Sequence, residues 1–158
     1  EAGDKVKKDN LIGFFHNLDR ALKEKETGIK EMLVCGLNPH AGEDGSIGLE
    51  EQLEIIPALD QLRKDGLEVK GPFPPDTIFR QGLDHPDRLM VSLYHDQGLI
   101  AFKLVAFDRG VNLTLGLPFV RTSPDHGTAF ELAGRGLASP ASFQLAIWLA
   151  WELGCQKK

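Results

Sequence analysis

Cysteine is scarce in this chain: Cys35 sits in an apolar run and Cys155 near the tail, with no others among 158 residues. Two thiols so far apart give no disulfide framework and point to a reducing compartment, the cytoplasm. Long apolar runs are missing too. The stretch Leu145 to Trp151 falls far short of the about 20 residues that span a bilayer, and no signal-peptide pattern is visible. Positive charge is not in excess: the formal net charge is −5, which favours neither nucleic acid nor an anionic membrane as partner. No strand-like run is followed by GxGxxG spacing, so a Rossmann fingerprint is absent. Internal repeats, low-complexity tracts and linkers are absent as well, and residues 1–158 read as one piece with no internal boundary.

What remains is a soluble globular composition, 42% hydrophobic and 26% charged, in a chain long enough for a real core. The first residue is Glu, so the sequence is expected to begin inside a longer or processed product. Residues 1–8 are polar and expected to be loose. Asp9 or Asn10 can cap a helix to about Thr27, with Leu11, Phe14, Phe15, Leu18 and Leu22 at helical spacing and Gly28 as its stop. Apolar strands then alternate with amphipathic helices, the mark of an α/β protein.

The most telling stretch is Tyr94-His95-Asp96-Gln97-Gly98. It follows Leu89-Met90-Val91-Ser92-Leu93, which reads as a buried strand. The end of a strand, just before a glycine, is where an open α/β sheet presents chemistry. Neutral imidazole binds a divalent metal, and an adjacent carboxylate can orient it or join it as a ligand. A second loop of this kind is Asn38–Gly45, between the strand-like Glu31–Leu37 and a helix of about residues 49–65 with Leu49, Leu53, Ile56, Leu59 and Leu62 as its apolar side. There Pro39 fixes the backbone before His40, and Gly42 lets the chain approach a ligand. A histidine hydrogen-bonded in a turn is the competing reading for both His40 and His95. Glu43 and Asp44 read as solvated, and His16 and His85 as exposed.

A short strand at 67–73 is broken by Pro74-Pro75. Asp76 then either caps a helical turn to Gly82 or turns its carboxylate toward a metal. Gln97 to Val105 suits a short helix in which Lys103 is the lone charge of an apolar run, either snorkelling to solvent or reaching an anion. Asn112 lies in the strand-like segment Gly110–Pro118, and Arg121 follows among apolar neighbours. Asp125-His126-Gly127-Thr128-Ala129 leads into a helical turn at 130–133 and can receive phosphate or a purine ring. The last helix starts at Ser139-Pro140 and has little polar face, so it is expected to pack deep or against a partner.

Taken together, Cys35-Gly36-Leu37-Asn38-Pro39-His40-Ala41-Gly42-Glu43, Tyr94–Gly98, Gly110–Pro118 and Arg121–Ala129 resemble the 4-hydroxythreonine-4-phosphate dehydrogenase family over nearly the whole chain. The resemblance implies an α/β/α layered sandwich like that of isocitrate and isopropylmalate dehydrogenases, of which this chain is the C-terminal half. It also implies a homodimer with sites shared between subunits, and metal-dependent oxidation and decarboxylation of 4-phosphohydroxy-L-threonine with NAD or NADP, on the route to pyridoxal 5′-phosphate. A sister branch acts on erythronate or threonate 4-phosphate. His40 and His95 match two of three histidines for a divalent metal (Zn, Mg or Co), and Asp76 and Asp96 match acidic residues beside it that the resemblance counts among the catalytic groups. Lys103, Asn112 and Arg121 match substrate-binding positions, with Lys103 also among the catalytic groups. His126, Gly127 and Thr128 resemble a loop facing the adenosine of the cofactor. The third histidine and a substrate-binding His-Thr pair are expected upstream of Glu1. The competing functions are a metal hydrolase using His40, His95 and Asp96, and a non-catalytic metal-binding dimerisation remnant.

Overall fold

The computed structural model describes residues 2–155, and the chain divides into two compact units, one running to Ala101 and one from Phe102.

The first unit is built on three parallel strands, β1 (Glu31–Cys35), β2 (Val69–Phe73) and β3 (Arg88–Val91), in the order β2-β1-β3. Met32 of β1 lies opposite Val69 on one side and Leu89 on the other. Side chains alternate across a pleated strand, so β1 feeds two cores. Met32 and Val34 join Leu11, Phe15, Ile55, Leu59 and Leu62 on one face, whereas Leu33 and Cys35 meet Ile78 with Phe73, Phe79 and Met90 on the other. The helices α2 (Lys8–Glu24) and α3 (Ile56–Lys64) cover the first face and α4 (Ile78–Gly82) the second. Topology explains the split. The β1-to-β2 connection runs one way along the sheet and β2-to-β3 returns across β1, and right-handed crossovers in opposite directions place their helices on opposite faces. The expected α/β/α layering is present within this unit.

Burial decides its stability. Phe15, Ile55, Leu59 and Leu62 are fully buried, each contributing about 1.5–3 kcal/mol, whereas a surface pair such as Lys23–Asp19 at 2.8 Å adds only about 0.3–0.5 kcal/mol.

Several local expectations change. Residues 2–5 form a short helix, α1, and Val6 is buried against α2, so this segment is held by the core rather than loose. Neither Asp9 nor Asn10 caps α2. Lys7 occupies that position without a side-chain bond, and the Lys8 N–H donates to Glu54 Oε2 at 2.8 Å, a cap supplied from a distant helix. The helix expected over 49–65 begins with a wide turn, Glu51–Ile55, before α3. Its inner face is Glu51, Ile55, Ala58, Leu59 and Leu62, while Leu49, Leu53 and Ile56 point out. Asp76 does not cap α4: Thr77 precedes the helix, with no side-chain bond.

In the second unit, β4 (Val111–Thr114) and β5 (Arg121–Pro124) pair antiparallel, with Asn112 opposite Ser123. A single turn follows at Phe130–Leu132, and α6 (Ala141–Cys155) packs on this ribbon. Two hydroxyls fasten the packing. Buried Ser142 donates to Gly110 O at 2.5 Å and accepts the Asp125 N–H at 3.0 Å, and Thr122 donates to Ala146 O at 2.8 Å. The inner stripe of α6 is Ser142, Ala146 and Leu153. Phe143, Ile147, Trp148 and Trp151 remain exposed, so the deep packing expected for this helix is not found within its unit. No helix among the described residues is long and apolar enough to cross a membrane.

Candidate active site

Because the three strands are parallel, the loops that leave their C-terminal ends emerge at one edge of the sheet. These loops carry His40 after β1, Asp76 after β2 and His95 after β3. The strand order reverses at β1, so the crevice between β1 and β3 is the switch point where open α/β sheets bind ligands. His40 and His95 stand on its two sides. All three side chains are exposed and therefore available.

His95 opens α5 (His95–Ala106), two residues earlier than the expected start at Gln97. Asp96 Oδ1 lies 2.7 Å from His95 Nδ1. With the Nδ1–H given to that carboxylate, the lone pair is left on Nε2, the arrangement in which a carboxylate orients a metal-binding imidazole. Asp96 thus bonds to the ring, which supports the orienting role rather than that of a separate ligand.

The His40 loop has an unusual backbone. From His40 to Asp44, five successive residues hold φ between +44° and +85°, and four of them are not glycine. An L-residue in this left-handed region costs about 1–2 kcal/mol, so something must hold it. Glu51, only 1% exposed, fixes the entry to the loop. Its Oε1 accepts the N–H groups of Leu37 and Asn38, both at 2.8 Å, and its Oε2 accepts the Asn38 side-chain amide at 2.8 Å. The same amide reaches Glu50 Oε2 at 2.8 Å, which holds the Glu50 carboxyl below its ordinary range. Gly42 is required here: φ is +85°, and a Cβ would come within 2.7 Å of Glu51 Oε2.

Gly36 is the junction of the edge. Its N–H donates to Phe73 O at 2.8 Å, tying β1 to β2. Its carbonyl accepts the Gln97 side-chain amide at 2.7 Å, and Gln97 Oε1 accepts the Leu93 N–H at 2.8 Å. Neither Glu51 nor Gln97 is evident as a site residue in the sequence. Glu51 carried a signal, being a charge in phase with Ile55, Ala58, Leu59 and Leu62, at the start of a helix and after a loop with backbone donors to satisfy. Cys35 is a buried structural thiol: burial pushes its pKa up, opposed by the Ser92 hydroxyl 4.0 Å away.

In the second unit, Lys103 has an acidic partner that its local sequence does not suggest. Its ammonium lies 2.6 Å from Asp125 Oδ2, also bonds to the Asp125 carbonyl, and sits 5.6 Å from the Phe107 ring centroid. Arg121 is exposed and donates to Thr114 Oγ1 at 2.8 Å. Asn112 is exposed on the neighbouring strand. His126, Gly127 and Thr128 are exposed, and the His126 ring lies 3.1 Å from the neighbouring Gly127 carbonyl.

The donor chemistry at the sheet edge suits a divalent metal, but the number of donors does not complete a site. Among the described residues, no three His, Cys, Asp or Glu side chains converge as a metal would need.

Residues 1–150 match the sequence profile of the family described as pyridoxal phosphate biosynthetic protein PdxA. The chain belongs to this family. It is 57% identical over 124 residues to a 4-hydroxythreonine-4-phosphate dehydrogenase of Bradyrhizobium diazoefficiens, covering 78% of this chain and 36% of that one. Against the enzyme of the same name from Shewanella denitrificans it is 48% identical over 149 residues, covering 94% and 45%. The crystal structure of 4-hydroxythreonine-4-phosphate dehydrogenase from Klebsiella pneumoniae superposes with a TM-score of 0.80 at 42% identity, covering 96% of this chain and 46% of that one. The PdxA-family chain thus spans less than half the length of these relatives. The family and the α/β fold expected from the four motif blocks are those found.

Proposed function

We propose that this chain supplies two metal ligands and the anion-binding groups of an NAD(P)-linked dehydrogenase. The reaction is the oxidation and decarboxylation of 4-phosphohydroxy-L-threonine on the route to pyridoxal 5′-phosphate. The observation that carries this reading is the gathering of His40, Asp76 and His95 at one sheet edge, in a chain whose relatives bear that enzyme's name.

The metal (Zn, Mg or Co) would supply Lewis acidity at the substrate alcohol, and the nicotinamide would accept the hydride. The chain's own residues have simpler tasks. His40 and His95 present ring nitrogens to the metal. Asp96 fixes the tautomer and angle of His95, and Asp76 adds negative charge beside the cation. Arg121 offers a guanidinium fork to the substrate's phosphate or carboxylate. Lys103, held by Asp125, adds a second positive charge, and Asn112 a neutral donor. His126, Gly127 and Thr128 receive the adenosine end of the cofactor. In this reading the rest of the metal shell and of the substrate pocket would come from outside these residues. The exposed apolar stripe of α6 supports a homodimer, and the cytoplasm is the fitting compartment.

The test uses the full-length protein with NAD or NADP, each candidate metal and 4-phosphohydroxy-L-threonine, following reduced nicotinamide and released carbon dioxide together. Coupled formation of both is expected. Phosphate release without nicotinamide reduction would replace this reading with a hydrolase. Preference for erythronate or threonate 4-phosphate would move the chain to the sister branch.

A further inference from the structure

We propose that Gln97 is a positioning residue: its buried amide sets the spacing between the His40 and His95 loops and so tunes the metal site. The inference rests on the reading of those two histidines as ligands.

Gln97 is 7% exposed, although it lies at the start of α5 beside the exposed His95 and Asp96. Both ends of its amide are used. Oε1 accepts the Leu93 N–H at 2.8 Å, which anchors the chain just before His95. Nε2 donates to the Gly36 carbonyl at 2.7 Å, which reaches across to the end of β1. Gly36 in turn is the floor of the His40 turn. A Cβ at Gly36 would stand 2.8 Å from Ala41 Cα, so the residue after His40 rests directly on this glycine. The path from Gln97 to Gly36 to Ala41 to His40 consists of one hydrogen bond, one close backbone contact and one peptide link. Such a bridge ties the segment just before His95 to the end of β1 on which the His40 turn rests.

Chemistry restricts what can stand there. The position needs one acceptor and one donor on a planar head at the end of two methylenes. Glutamate keeps the acceptor for Leu93 but sets a carboxylate against the Gly36 carbonyl. Leucine fills similar space and provides neither group. A buried amide with both groups satisfied stabilises the fold, and loss of either partner leaves a backbone group without one. A structural role alone would therefore also cost stability, and the test has to separate the two.

The experiment titrates Co2+ alone into the full-length protein and reads the visible d–d band, with the melting temperature measured in parallel. The variants are Q97L, Q97E, H40A, H95A and, as a stability control in the core of α3, L62A. If the proposal holds, Q97L and Q97E each weaken Co2+ binding by about 10-fold or more, the usual effect of losing a residue that orients metal ligands, and shift the band. L62A, though less stable, binds within about two-fold of the parent and leaves the band in place. Q97E separates the two bonds, because parental binding in Q97E would show that the link to Gly36 does nothing. If Q97L does not fold, Q97E decides alone. Parental affinity and spectrum in the folded Gln97 variants would overturn the proposal while leaving the ligand reading intact. Parental affinity in both H40A and H95A would instead remove the ligand reading itself, and the proposal with it.

Discussion

Glu51 Oε1 accepts the Asn38 backbone N–H at 2.8 Å while its Oε2 takes the Asn38 side-chain amide at the same distance. A buried carboxylate thus grips both ends of one residue at the mouth of the His40 loop. Glu51→Ala leaves the Leu37 and Asn38 N–H groups without an acceptor. It should destabilise the protein by about 2–6 kcal/mol, from about 1–3 kcal/mol per orphaned donor. Glu51→Gln retains one acceptor and should cost less. Urea unfolding of both variants checks the order, and equal stability of parent and Glu51→Ala would refute the clamp.

His40→Ala and His95→Ala should each weaken Zn2+ binding to the full-length protein by about 10-fold or more, read by calorimetric titration. Asp96→Asn should have a smaller effect in the same direction, because it disturbs only the hydrogen bond that sets the His95 ring.

Arg121 and Lys103 should separate in their behaviour. Arg121→Lys is expected to raise KM or lower kcat with little change in melting temperature, since the exposed guanidinium loses its bidentate geometry and little else. Lys103→Met should damage both activity and stability, the latter by about 2 kcal/mol, because Asp125 then loses its counter-charge. Steady-state kinetics beside thermal melts distinguish the two patterns.

Glu31 predicts an acid-sensitive edge at the other end of the sheet. The Lys70 ammonium, hydrogen-bonded to it, and the Arg88 guanidinium at 2.8 Å together hold its pKa below the ordinary value of 4.5. A carboxyl lowered on folding stabilises the protein fully above its unfolded value and loses that contribution as pH falls on through the folded one. The melting temperatures of the parent and Glu31→Gln should therefore differ at neutral pH and converge as pH falls below the ordinary carboxyl value of 4.5. A gap that widens with acid would contradict this.

Particular residues show how much was legible in the sequence. Strands β1 and β3 could be read because Met32–Cys35 and Leu89–Val91 are apolar runs, and β2 only as a short strand broken by Pro74-Pro75; the placement of His40 and His95 followed from the ends of β1 and β3. The helix over 51–64 was legible as a helix but not as a face. Leu49, Leu53 and Ile56 keep the same helical rhythm as the buried set, and only the sheet decides which side turns inward. Partners distant in sequence were hidden for the same reason: Lys103 meets Asp125 through the folding of its unit, 22 residues away. The left-handed run after Pro39 left no mark in composition beyond Gly42 and Gly45, since Ala41 and Glu43 have no preference for that region and the loop is closed by backbone bonds, Ala41 N–H to Asn38 O and Ile47 N–H to Gly42 O. In α6 the nearly uniform apolarity that suggested deep packing carries no directional information, and Phe143 and Trp151 face outward.

The His40–Asp44 turn has one consequence that concerns chirality rather than size. Its backbone is the mirror image of an ordinary helical turn, so the penalty paid by Ala41 belongs to the hand of its α-carbon. In protein assembled by ligation with D-alanine at position 41, that carbon would adopt the same torsions from the middle of its own favoured region. Such a protein should unfold later than its natural counterpart, although the two have identical composition.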